Sequence, residues 1–219
     1  MGHHRGSLLR VLLLAIVALP SCASDRRAAT VPAPAVLAGD IRTHDPGMIR
    51  QDTTYYVFST GDERGLNQGN IQIRTSRDLA TWGLIGTVFD TIPSWITTEL
   101  GSTPPNLWAP DISHVNGRYY LYYVGSRSGS NNSVIGLATN VTLDPASPDY
   151  RWVDQGMVIR SRPSNTWNAI DPALAFDADG APWLAWGSFW SGIKMYRIDP
   201  KTGKLASEES SDGRVPASR

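Results

Sequence analysis

An all-β fold built from repeated four-stranded units is what this sequence predicts, on three observations. One block recurs three times; 20 Gly and 15 Pro punctuate the chain often, favouring many short strands; and no stretch carries a helical period of useful length. In the first copy, Asp45-Pro46-Gly47-Met48-Ile49 leads through Asp52-Thr53-Thr54 into Tyr55-Tyr56-Val57-Phe58-Ser59. In the second, Asp111 to Val115 leads through Asn116-Gly117, a strong hairpin signal, into Tyr119 to Tyr123. In the third, Asp171 to Phe176 leads through Asp177-Ala178-Asp179-Gly180 into Trp183 to Gly187.

The copies start 66 and then 60 residues apart, and each continues into further strand-like segments. These are Ile71 to Ser76 and Trp82 to Phe89 in the first copy, and Val134 to Thr139 and Tyr150 to Ile159 in the second. Four strands per unit is the composition of a propeller blade. The third copy reaches Gly192 to Arg197 and a turn at Asp199 to Gly203 before a Ser-, Glu- and Asp-rich tail. Blades bury their faces against neighbours on both sides, and propellers have at least four. Three blades would leave two apolar faces bare, so the chain is expected to be the N-terminal part of a longer protein.

The start of the chain has a different character. An apolar run from Leu8 to Pro20, preceded by His3, His4, Arg5 and Arg10, is too short to span a bilayer and matches a secretory signal over 1–23. Two processing readings stand: a small-residue site at Ser21-Cys22-Ala23, or a lipoprotein box with Cys22 acylated. Cys22 is the only cysteine, which excludes an internal disulfide framework and Cys-based metal sites. Residues 24–38, rich in Ala, Pro and Arg, read as a flexible tether, leaving 39–219 as the folded domain.

Composition narrows the function. Twenty basic and 20 acidic residues give zero net charge, so no basic field exists to hold nucleic acid. With 41% hydrophobic residues the chain can build a core, and 8 Trp and 8 Tyr against 4 Phe supply aromatic rings with polar edges, suited to stacking on sugars. Nothing resembles a phosphate-binding glycine loop. Outside the leader the histidines are His44 and His114, too few to make a metal site by themselves.

The innermost strand of a blade lines the propeller axis, so a residue opening that strand can face a shared cavity. Asp45, Asp111 and Asp171 open the three copies, which would gather the carboxylates that glycoside hydrolysis needs. An isolated Asp-Pro also simply starts a turn.

Thr43-His44-Asp45-Pro46-Gly47, Asn106-Leu107-Trp108-Ala109-Pro110-Asp111-Ile112, Asn168-Ala169-Ile170-Asp171-Pro172 and Gly187-Ser188-Phe189-Trp190-Ser191-Gly192-Ile193, in this order and at blade spacing, resemble glycoside hydrolase family 43, and within it the endo-1,5-alpha-L-arabinanases. The resemblance covers about residues 39–205. It implies a five-bladed β-propeller, of which about three blades are present, and hydrolysis of arabinan with inversion. Asp45 would be the general base; Asp171 would orient the general acid and raise its pKa. The acid itself would be a Glu of the following blade, beyond this chain, since Glu208 and Glu209 lack the expected context. Residues 24–219 alone are therefore expected to be inactive and poorly soluble.

The resemblance further implies that Gly129, in Gly129-Ser130-Asn131, approaches the polysaccharide backbone, and that Asn168, Ala169, Ile170, Ser188, Phe189 and Trp190 line subsites, with Trp108 as a stacking face. Core packing for the tryptophans, turn hydrogen bonding for Asn168 and Ser188 and a plain loop for Gly129 are the alternatives. No cofactor is expected within the chain; the resemblance implies a calcium ion near the propeller axis, held through a His of a later blade. The expected partner is plant cell-wall arabinan or its oligosaccharides, the protein being an exported monomer that meets a membrane only through a lipid on Cys22. An exo-acting arabinofuranosidase or beta-xylosidase, and a sugar-binding propeller without hydrolysis, stay open as other readings.

Overall fold

The computed structural model describes residues 1–2, 35–67 and 69–206. The chain divides into two compact units, Met1–Pro34 and Ala35–Arg219, and the second carries the fold described below. The leader, Cys22, most of the tether, Glu208 and Glu209 lie outside the described residues.

The strands form three antiparallel sheets in chain order. The first contains β2 (Gly47–Gln51), β3 (Thr54–Ser59), β4 (Gln72–Ser76) and β5 (Thr81–Thr87), and β1 (Ala38–Gly39) adds a short parallel edge to β5. Ala38, read from sequence as tether, is thus already paired, opposite Thr81. The middle sheet is β6 (Leu107–Val115), β7 (Arg118–Gly125), β8 (Ser133–Asn140) and β9 (Val153–Ser161); the third is β10 (Ala173–Phe176), β11 (Pro182–Trp186) and β12 (Lys194–Arg197). The three repeats therefore each fold as one meander.

The middle sheet is buried on both faces, and the period of two along β7 explains its unbroken apolar run. Tyr119, Leu121 and Tyr123 join Phe58, Ile71 and Ile73 in a core shared with the first sheet. Tyr120, Tyr122 and Val124 point the other way, into a core with Leu184 and Trp186 of the third sheet. There Trp186 stacks on Tyr196 at 5.3 Å and meets Trp167 edge-on at 6.1 Å. Tyr122 donates its hydroxyl to Gly203 O at 2.9 Å, and burial raises its pKa.

Polar ties complete the sheet junctions. Lys204 Nζ donates to the carbonyls of Gln155, Gly156 and Met157 at 2.6, 2.9 and 2.7 Å, closing over the bulged edge of β9; burial pulls its amine down to about 8. The first and middle inner strands run so close that a Cβ on Gly47 would sit 2.8 Å from Pro110 O.

One short helix, α1 (Ser94–Leu100), departs from the strand-only reading. Seven residues are too few to leave a readable period. Its Ile96 is fully buried against Gly125, where a Cβ would come within 2.6 Å of Ile96, and Gly101 at φ 76° ends it in the left-handed conformation.

Candidate active site

Asp45 and Asp171 each stand two residues before an inner strand, each followed by Pro, with φ of 50° and 53°. This left-handed backbone is uncommon without glycine, tolerated best by Asn and Asp, and costs about 1–3 kcal/mol where it persists. Each aspartate is also met by a hydroxyl from the end of the neighbouring strand. Thr60 Oγ1 donates to Asp45 Oδ2 at 2.8 Å, and Ser188 Oγ to Asp171 Oδ2 at 2.9 Å. The backbones repeat as well: Thr60 N–H donates to His44 O at 3.0 Å and Gly187 N–H to Ile170 O at 2.7 Å.

The middle sheet carries the same turn with a different side chain. There the residue before Pro is Ala109, at φ 40°, and Asp111 comes two residues later, inside a bulged β6 opposite Tyr122. Asp111 therefore corresponds in register to Gly47 and Ala173, which open β2 and β10, and not to Asp45 and Asp171. This corrects the expectation of three gathered carboxylates. Asp111 instead accepts the Leu174 amide at 2.8 Å, joining the middle and third inner strands, and burial raises its pKa.

The sign of that shift gives a testable result. A carboxyl raised in the folded state contributes its full stability below the unfolded value and loses it as pH rises through the folded one. Asp111→Asn keeps an acceptor for Leu174 and cannot ionise, so thermal unfolding is expected to show an equal or higher Tm at neutral pH. Asp111→Leu strands the Leu174 amide and is expected to cost about 1–3 kcal/mol.

Asp45 and Asp171 line one cavity of about 660 Å³, together with Thr60, Asn106, Trp108 and Arg127 among others. A larger cavity of about 1070 Å³ along the first sheet shares His44 and Thr60 but contains neither aspartate, so the smaller one is the chemically relevant site. His44 Nδ1 lies 2.8 Å from Asp45 Oδ2, with its side chain 80% exposed against 40% for Asp45. Thr60 Oγ1 accepts the Ala109 amide at 2.8 Å, which commits its single proton to Asp45. Trp108 donates Nε1 to Asn106 Oδ1 at 2.7 Å; its ring both packs on the second core and lines the cavity.

The remaining sequence candidates divide. Ile170 lines the cavity and Ser188 reaches it through Asp171. Asn168 does not face it: 5% exposed, its Oδ1 accepts from Ser133 and Ser161 and its Nδ2 donates to Ser130 O. Ala169 is fully buried in the core, its amide held by Ser161. These two support the turn that aims Asp171, because a buried amide with every polar atom engaged has nothing left for a ligand. Gly129, at φ 77°, sits in the turn closed by Ser130 N–H to Arg127 O, and it is Arg127 and Ser128 of that loop that reach the cavity. Phe189 and Trp190, both left-handed, stand exposed on the β11–β12 loop, outside the cavity wall.

Sequence reasoning passed over Thr60, Asn106 and Arg127. Thr60 had a legible signal, since a hydroxyl follows the second strand in every copy as Thr60, Ser126 and Ser188. Among the described residues no group of three or more His, Cys, Asp or Glu forms a metal site.

The three meandering sheets, two of them with an Asp-Pro turn just before the first strand, reproduce in space the repeat read from the sequence. The model of glycosyl hydrolases family 43 matches residues 36–214, and the chain belongs to that family. It is 45% identical over 163 residues to the extracellular endo-alpha-(1->5)-L-arabinanase 1 of Bacillus subtilis, covering 74% of this chain and 48% of that one. To the extracellular exo-alpha-(1->5)-L-arabinofuranosidase ArbA of Cellvibrio japonicus it is 44% identical, covering 74% and 45%. Among solved structures, the endo-arabinanase of Bacillus licheniformis superposes with a TM-score of 0.72 at 41% identity, over 80% of this chain and 57% of that chain. An alpha-L-arabinanase of Cellvibrio cellulosa complexed with arabinohexaose gives 0.69 at 43%, over 75% and 50%. The chain thus spans about half the length of the curated relatives it matches. Among the described residues no helix is long and apolar enough to cross a membrane.

Proposed function

We propose that this protein is an exported glycoside hydrolase that cleaves alpha-1,5-linked arabinofuranosyl chains with inversion, its three sheets serving as blades of a five-bladed propeller. The observation that carries the reading is the pairing of Asp45 and Asp171 on one cavity by the same left-handed Asp-Pro turn and the same hydroxyl donor. The naming of related proteins as arabinanases, one of them complexed with arabinohexaose, supports the substrate. Extracellular relatives and the leader-like start support export.

In this mechanism Asp45 takes a proton from the water that attacks the anomeric carbon, and Thr60 and His44 hold its carboxylate in place. A carboxylic acid on the opposite side of the sugar, from a further blade, protonates the departing oxygen. Asp171, oriented by Ser188, keeps that acid protonated by its negative charge. Trp108 offers a ring face and Arg127 a fork of donors to the sugar hydroxyls.

The test is to express the whole reading frame and digest linear debranched arabinan, following product length by chromatography and anomeric configuration by NMR. Oligosaccharides of mixed length, first released as the inverted anomer, are the expected result. Release of a single short product from chain ends would place the protein with the exo-acting Cellvibrio relative. No hydrolysis by a folded product would overturn the proposal.

A further inference from the structure

Away from Asp45 and Asp171, the outer rim where the first and middle sheets meet holds a second cavity of about 580 Å³. It is walled by the end of β5, the segment leading into α1, and residues 150–154 at the start of β9, and it shares no lining residue with the aspartate cavity. Three of its lining residues are Trp95, Tyr150 and Trp152, all half-buried.

The indole N–H groups of the two tryptophans are already engaged. Trp95 donates Nε1 to Asp154 Oδ2 at 2.8 Å, while Tyr123 donates to the other oxygen of the same carboxylate at 2.8 Å. Trp152 donates Nε1 to the Tyr150 hydroxyl at 3.2 Å and rests edge-on against Phe58 at 5.5 Å. Fixed in this way, the rings have little conformational freedom to lose on binding, and what they offer the cavity is apolar surface. Around them stand groups that meet hydroxyls: the Tyr150 hydroxyl, whose own proton has no acceptor among the described residues, and the exposed side chains of Arg151 and Asp90. Asp90 and Asp154 against Arg151 leave the cavity with an acidic balance, which disfavours an anionic ligand. Preset aromatic surface with scattered hydrogen-bonding groups suits the C–H patches and hydroxyls of a neutral sugar.

We propose that this rim cavity is a second carbohydrate site, separate from the Asp45 and Asp171 cavity, which holds a neutral polysaccharide chain and keeps the protein on its substrate. The sugar being arabinan rests on the function proposed above; the site itself does not.

Affinity electrophoresis of the whole protein, carrying Asp45→Ala so that the gel is not digested, tests this in native gels containing linear arabinan, xylan, galactan or polygalacturonate. Trp95→Ala and Arg151→Ala, singly and together, are compared with the parent. The expected result is retardation by arabinan that the double variant weakens roughly ten-fold, while in the active background the same changes leave kcat/KM on short arabino-oligosaccharides unaltered. Arg151 is exposed, so its variant carries the test if thermal unfolding shows Trp95→Ala misfolded. Equal retardation of variants and parent overturns the proposal, as does retardation by polygalacturonate alone or by none of the polymers. Retardation by xylan or galactan that the variants relieve, in a protein inactive on arabinan, upholds the site and overturns the assigned substrate.

Discussion

Asp45→Asn is expected to lower kcat on linear arabinan by roughly 100- to 10,000-fold, with KM nearly unchanged, because a general base acts in the transition state and not in holding the chain. The substitution preserves shape, and Asn tolerates the left-handed backbone at φ 50° almost as well as Asp, so the fold should survive. Thr60→Val is the graded control. It leaves the carboxylate in place but removes the donor at 2.8 Å and strands the Ala109 amide that the hydroxyl accepts. A fall of about ten-fold is expected from the loss of one oriented hydrogen bond. Initial rates of reducing-sugar release measure both. An Asp45→Asn enzyme within a few-fold of the parent would remove Asp45 from the role of base.

Asp171→Asn is expected to act on the pH profile. A negative charge near a carboxylic acid raises the pKa of that acid, so removing it lets the acid ionise earlier. The alkaline limb of kcat/KM should move to lower pH by about one unit or more, with kcat reduced at every pH on the alkaline side. Ser188→Ala, which frees Asp171 from its hydroxyl at 2.9 Å without removing charge, should lower kcat and leave the limb in place. A pH–rate series on the three proteins distinguishes charge from orientation. An unmoved alkaline limb in Asp171→Asn would leave Asp171 a structural residue of the turn.

Much of this was legible because a repeat repeats its physics. Three copies of a strand–turn–strand block must fold alike, and the segment Tyr119 to Tyr123 read as a strand lies in β7, which packs against a core on each face. The error at Asp111 came from aligning copies on their aspartates when the structurally equivalent step is the bond to proline, at Pro46, Pro110 and Pro172. In β6 the ladder already begins at Leu107, ahead of Pro110, and the bulge between Trp108 and Asp111 shifts the register by a count that residue identity does not reveal. Asn168 and Ala169 illustrate a different limit. A motif gathers residues that touch a ligand with residues that hold those residues, and only burial separates Ala169 in the core from Asp171 at the surface two positions later. The rim cavity was invisible because Trp95 and Asp154 are 59 positions apart and meet only when the first and middle sheets pack.

The left-handed turn before proline has a consequence of its own. It occurs three times, at Asp45, Ala109 and Asp171, yet carries a carboxylate only twice. The backbone fixes an address just before a proline in each repeat, and a single side chain decides what stands there. Ala109 is the vacant address. The side chain at that address differs between repeats while the strand order of each sheet stays the same.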